Sequence, residues 1–273
     1  MKHLSVLSGF DQTMLKLEPY PHLVISEALP PEIADALRDQ FPTSEEVGTD
    51  DSKNNSRWSY GASEVNNNPR ITQLWKQVVR WHTSPEFWRE ILTIFGSVLD
   101  VSMRDPTNRK SLSDQARVGV RGLSTFEKCD VLLEAQISGN TPVTVSSSVR
   151  RTHLDEGNKI FSGLYYLRHP DDNSLGGDFV IQRWKPWVPN YMKKNLYFEG
   201  MSDCVETVAT VPYRHNTLVL LIDSFDALHA VTPRLPTSFP RRFMNLDGVL
   251  PNHEYEIPSP NLLARVRRRL GAN

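Results

Sequence analysis

Residues 150–179 read RRTHLDEGNKIFSGLYYLRHPDDNSLGGDF, and the fold turns on how this stretch is parsed. Its centre, Ser162 to Leu167, is an apolar, aromatic-rich run of strand type, and the turn-forming PDDNSLGG separates it from a second run, Phe179 to Trp184. That pair reads as a hairpin. Ahead of it, His153 and Asp155 stand two residues apart at the edge of the strand-like region, where alternation along an extended chain puts both on one face. An imidazole and a carboxylate projecting together supply two adjacent ligands for a divalent metal, although an isolated HxD triplet also occurs by chance.

Working outward, NTLVLLIDSFDALHAVTPR (216–234) places a hydrophobic strand, Thr217 to Ile222, just before His229. One sheet can therefore bring a third ligand onto the same metal. Two histidines and one carboxylate leave coordination positions open, which suits non-haem Fe(II), whereas zinc accepts the same set with a bound water. Further strand-like runs at Asp130–Ile137, Thr144–Val149, Val205–Val211 and Arg241–Val249 complete the expectation of a mainly β fold with flanking helices. Its core, residues 101–250, is expected to be a jelly roll with a ligand space between its sheets.

Residues 1–100 carry mostly helical signals. Pro30 and Pro31 open a helix spaced by Ile33, Ala36, Leu37 and Phe41, and residues 71–99 keep helical periodicity around a break at Ser84-Pro85. Between them, residues 43–70 are rich in Ser, Asn, Asp and Gly and read as a surface loop anchored by Trp58 and Tyr60, or as a lid that brings these aromatics over a substrate. In the tail, 251–273, Asn261 to Leu270 has the pattern of an amphipathic helix. The whole chain, 1–273, reads as a single domain.

Composition narrows the partners. With 31 Lys plus Arg against 32 Asp plus Glu, there is no broad basic footprint for nucleic acid, so a small-molecule or peptide substrate is favoured. A chain of 273 residues buries roughly three quarters of its unfolded surface and needs no structural metal. Cys129 and Cys204 lack a CxxC spacing and are expected as free thiols. The first ten residues lack the apolar run of a secretory signal, and no stretch reaches the ~20 apolar residues of a membrane span, so a cytoplasmic protein is expected. Nothing in the sequence fixes the oligomeric state.

Taken together, His153-Leu154-Asp155, the GLYYL strand (163–167), GGDF (176–179), His229-Ala-Val-Thr-Pro and PRRF (240–243) resemble the 2-oxoglutarate- and Fe(II)-dependent dioxygenase superfamily, particularly its prolyl-hydroxylase-like branch. The pieces come in the family's order and cover roughly residues 125–250. The resemblance implies a double-stranded β-helix core, Fe(II) on His153, Asp155 and His229, and 2-oxoglutarate and O2 as co-substrates. It also implies an Arg or Lys on the strand after the distal His, pairing with the remote carboxylate of 2-oxoglutarate. Arg241 and Arg242 are the candidates, with Arg234 third. Because strand neighbours face opposite sides and family members tend to carry a small or polar residue on the arginine's face, Asn245 favours Arg241. Asp155 speaks against halogenating relatives, which lack that carboxylate.

The implied activity is hydroxylation of a small molecule, such as an amino acid or natural-product intermediate, with release of succinate and CO2. A prolyl-type protein hydroxylase is the alternative, and a zinc hydrolase or a non-catalytic jelly-roll binding module are the rivals from other classes. Candidate substrate residues are Gln136, on the polar face of VLLEAQI, Arg151, with the parity of His153 and Asp155, and Arg121. Trp58 and Tyr60 join them if the lid reading holds. His169 and His215 lie beside expected turns, His3, His22, His82 and His253 have no partner pattern, and all six read as ordinary structural or surface residues.

Overall fold

The structure is a computed structural model that describes residues 4–148, 150–193 and 201–257. Two short strands, β1 (Leu15–Lys16) and β2 (His22–Ser26), precede helix α1 (Pro31–Asp39), which starts on the two prolines as the sequence predicts. The segment expected as a loop or lid is instead built. It contains α2 (Ser44–Val47), closed by a Thr43–Glu46 capping box, then strand β3 (Arg57–Tyr60) and α3 (Ala62–Asn67). The helical region follows as α4 (Gln73–His82) and α5 (Pro85–Ser102), broken at Ser84, whose side chain caps α5.

The remaining strands are β4 (Val118–Val120), β5 (Val131–Asn140), β6 (Lys159–Tyr166), β7 (Phe179–Trp184), β8 (Val205–Val211), β9 (Thr217–Ile222), β10 (His229–Val231) and β11 (Arg241–Val249). The large sheet runs β1-β2-β9-β6-β11-β5-β3 with β4 on β5, and the small one runs β10-β7-β8. Of the run expected as a strand at Thr144–Val149, Val149 lies outside the described residues and no named strand covers 144–148. In its place stand isolated bridges, Val143 to Thr237 and Ser147 to Arg234. The proposed tail helix, Asn261 to Leu270, lies outside the described residues, as does His3.

Alternation on the central strands separates two layers. Val131, Leu133, Ala135 and Ile137 of β5 and Met244 and Leu246 of β11 join Trp75, Phe87, Trp88 and Phe95 in the core beneath the helices. On the opposite face, Tyr166, Val219, Leu221 and Phe243 meet Phe179 and Ile181 of the small sheet. The two sheets thus face one another, as a jelly-roll-like core requires. Cys129 and Cys204 are buried free thiols, and among the described residues no helix is long and apolar enough to cross a membrane.

Candidate metal centre

His153 and His229 are 76 residues apart (229 minus 153), yet their backbones bond to each other: each amide N–H donates to the other residue's carbonyl, at 3.0 and 3.2 Å. The bridge aligns their rings, whose centroids lie 4.2 Å apart. Asp155 Oδ1 sits 3.6 Å from His153 Nε2 and 4.0 Å from His229 Nε2, and the three ligand atoms lie within 4.8 Å of one another.

The ring chemistry fits a metal. Each Nδ1 is 2.8 or 2.9 Å from a carbonyl, that of Arg151 for His153 and of Ala227 for His229. A carbonyl only accepts, so each Nδ1 carries the proton and each Nε2 keeps its lone pair toward Asp155. Burial, and then the neighbouring His229, push His153 down to about 3, and burial lowers His229 as well, so both rings are neutral. Burial acts to raise Asp155, but His229, Lys159 and His153 and a hydrogen bond from Ser162 outweigh it and hold the carboxyl below its usual range. Two neutral imidazoles and one carboxylate are the donor set that a divalent cation takes.

Behind Asp155 lies a polar cluster that sequence reasoning missed. Ser162 Oγ stands 2.7 Å from Asp155 Oδ2 and 2.8 Å from Asp223 Oδ2, and Lys159 Nζ lies 2.8 Å from Asp247 and 3.4 Å from Asp155. Asp223 is raised well above the usual carboxyl range by burial and by the charge of Asp155. Ser162 has one hydroxyl proton and stands within hydrogen-bond distance of both carboxyl groups, so it bridges Asp155 and Asp223. The bridge engages Oδ2 of Asp155 and leaves Oδ1 facing the two imidazole Nε2 atoms. Asp247 shares the parity of Arg241 on β11, and this was the available signal; Ser162 and Asp223 come together only across paired strands.

The triad opens into a cavity of about 360 Å³ between the sheets. Arg241 lies on its wall, 2% exposed, ringed by Tyr166, Tyr213 and Phe243 at 4.9 to 5.3 Å, with Nη2 on the Tyr166 hydroxyl at 3.0 Å. Its Nε has no hydrogen-bond partner, and no carboxylate among the described residues pairs with it. A buried guanidinium left this way faces a costly desolvation unless an anion enters. Arg242 points to the other side, over the Phe41 ring. Arg234, 1% exposed, donates to Asn55, the Thr141 carbonyl and the Phe239 carbonyl, a structural tie. The GGDF turn explains its glycines here: at Gly176 (φ +84) a Cβ would fall 1.8 Å from the Pro233 carbonyl, and at Gly177 (φ +81) it would press on Arg234 and Arg241.

Of the other sequence candidates, Gln136 and Arg121 line the cavity. Arg151 does not: Arg150 takes the wall position instead, because residues 150–153 meet β10 at two points, the Arg150 carbonyl and the His153 backbone, without a regular ladder and do not keep strand parity. Trp58 and Tyr60 are not on the wall either. They pack against the helical core, and Arg57, their neighbour of opposite parity on β3, reaches the cavity. His22 and His82 are buried and bonded to backbone carbonyls, His169 stacks on Phe239, and His215 and His253 lie beside carboxylates.

No protein-family model matches the chain, and neither does any curated protein. Among solved structures, it is similar to a prolyl 4-hydroxylase from Phytophthora capsici (14% identity, 97% of this chain and 75% of that one, TM-score 0.48). A prolyl-4-hydroxylase from Pseudomonas putida is similar at 14% identity over 88% and 97% of the two chains, with a TM-score of 0.45. HygX from Streptomyces hygroscopicus, solved with nickel and 2-oxoglutarate bound, is similar at 14% identity over 86% and 85%, with a TM-score of 0.40.

Proposed function

We propose that this chain is a 2-oxoglutarate- and Fe(II)-dependent oxygenase with a double-stranded β-helix core that hydroxylates a small molecule. The observation that carries the reading is the pairing of a His153-Asp155-His229 face with the buried, carboxylate-free guanidinium of Arg241 in one cavity. His153, Asp155 and His229 would hold the metal, and Arg241, steadied by Tyr166, would bind the remote carboxylate of 2-oxoglutarate through charge-assisted hydrogen bonds. Fe(II) with 2-oxoglutarate and dioxygen supplies an oxidant able to take hydrogen from an unactivated carbon, with succinate and CO2 released. Ser162 and Lys159 orient Asp155, and the apolar wall of Phe179, Leu164 and Val219 keeps water from the reacting side.

A zinc hydrolase would use the same three ligands, with Arg241 then open to a substrate carboxylate; metal analysis and an oxygen-consumption assay separate the two readings. The cavity of about 360 Å³ is of a size that takes a small substrate. Anaerobic addition of Fe(II) and then 2-oxoglutarate is expected to give the visible charge-transfer band of the chelate, and substrate-dependent succinate formation is expected to vanish in His153→Ala and Asp155→Ala. Full activity in either variant overturns the assignment.

A further inference from the structure

Resting on the oxygenase reading, we infer that the substrate itself is an anion, a carboxylate or phosphate monoester, held by Arg57 at a second anion subsite of the same cavity. The cavity wall carries five cationic side chains, Arg57, Arg121, Arg150, Lys159 and Arg241, against the carboxylates of Asp155, Glu156 and Asp247. A divalent metal and dianionic 2-oxoglutarate cancel, so loading the site leaves the cationic excess standing. Arg241 is already committed to the co-substrate and Lys159 to Asp247 and Asp155. Arg121 has Glu156 only at 3.9 Å, while Arg57 and Arg150 have no carboxylate within ion-pair distance among the described residues.

Arg57 is the member of this group that is built into place. Its Nη2 donates to Oδ1 of Asn245 at 3.2 Å, and its guanidinium lies 5.4 Å above the Phe243 ring. Asn245 is itself buried and anchored, donating to Asp247 at 2.9 Å. Asn245 and Phe243 are the β11 residues that follow Arg241 on the same face, so the two guanidiniums stand on one wall, the second fixed by the strand that carries the first. Arg57 remains accessible from the cavity and retains free N–H groups, the arrangement of a preorganised anion fork. Desolvation of the guanidinium head, with Arg150 and Arg241 nearby, lowers its pKa against the opposing pull of Asp247 and Asp155, although the residue as a whole is exposed.

The test starts from the holoprotein with Fe(II) and saturating 2-oxoglutarate under anaerobic conditions. It is titrated with amino and aliphatic acids of about three to eight carbons, the matching phosphate monoesters, and the neutral amides and alcohols, size-matched to the cavity. The charge-transfer band and the melting temperature are followed together. At least one anion is expected to perturb both, at a concentration tenfold or more below its neutral counterpart. Carboxylate and phosphate arms show which of the two is taken. Arg57→Gln is expected to erase that preference while retaining the 2-oxoglutarate band, and Arg57→Lys to restore part of it. Equal response to anions and neutral compounds, a preference that survives in Arg57→Gln, or no response to any anion overturns the inference with the oxygenase reading intact. Failure of the wild-type band to form at all overturns both.

Discussion

Replacing Arg241 with Gln removes the positive charge while keeping a polar, though shorter, side chain. Arg241 is 2% exposed, and its guanidinium is walled by three aromatic rings and bonded, among the described residues, to the Tyr166 hydroxyl alone, so solvent screens a bound carboxylate little. Deleting one partner of a buried, hydrogen-bonded charge pair costs about 3–5 kcal/mol. At about 1.4 kcal/mol per decade, 2-oxoglutarate affinity is expected to fall by roughly 100- to 4,000-fold. The dissociation constant, read from the anaerobic charge-transfer titration, is the appropriate measure because it does not mix binding with turnover. Arg242→Gln is the internal control: its side chain lies over Phe41 on the other face and should change affinity less than about threefold, with stability lowered by about 0.5–1 kcal/mol. Unchanged 2-oxoglutarate affinity in Arg241→Gln, or a larger loss in Arg242→Gln, refutes the assignment.

Ser162→Ala removes the hydroxyl that links Asp155 to Asp223; metal affinity, followed by Ni(II) titration, should weaken by about 10–100-fold, and unaltered affinity would show that Asp155 is oriented without it. His82 is fully buried, accepts from the Val6 amide and donates to the Val78 carbonyl, and burial pushes it down to about 4. Its folded pKa is below the unfolded value near 6.5, so the unfolded chain binds the extra proton and stability falls as pH drops from about 6.5 toward 4, by about 2 kcal/mol at pH 5. Melting curves between pH 7 and 5 should show this fall, and His82→Gln should flatten it. Gly176→Ala forces a Cβ onto the Pro233 carbonyl at a positive φ and should cost about 2–4 kcal/mol, read as a drop in Tm of roughly 5–15 °C.

Strands that are apolar throughout or alternate cleanly were legible. The bounds of Phe179–Trp184, Val205–Val211, Thr217–Ile222 and Arg241–Val249 are those of the sequence reading, and the parity argument from Asn245 put Arg241 on the cavity face. Weakly paired segments were not. RWSY at 57–60 alternates, but only four residues pair, on one edge of β5, and flanking polar residues drown the signal. Thr144 to Val149 has β-type composition, but residues 144–148 form no ladder; Asn54 holds the amides of Thr144 and Val145 instead. Arg150 displaced Arg151 for the same reason, since parity means something only where a ladder enforces it. The Ser162, Asp223 and Asp247 cluster was invisible because its members are joined by register between strands, which local pattern does not encode.

The reciprocal backbone bonds between His153 and His229 locate the centre's geometry in one short bridge, independent of the length of chain that separates the two residues. Insertions and deletions between them can accumulate without moving either ligand, provided the bridge keeps its register. A shift of register by one residue, in contrast, would turn one imidazole out of the site while leaving both histidines in the sequence. For this chain the alignment of the two ligand strands, more than the presence of an HxD and a distant His, is the hereditary unit of the site.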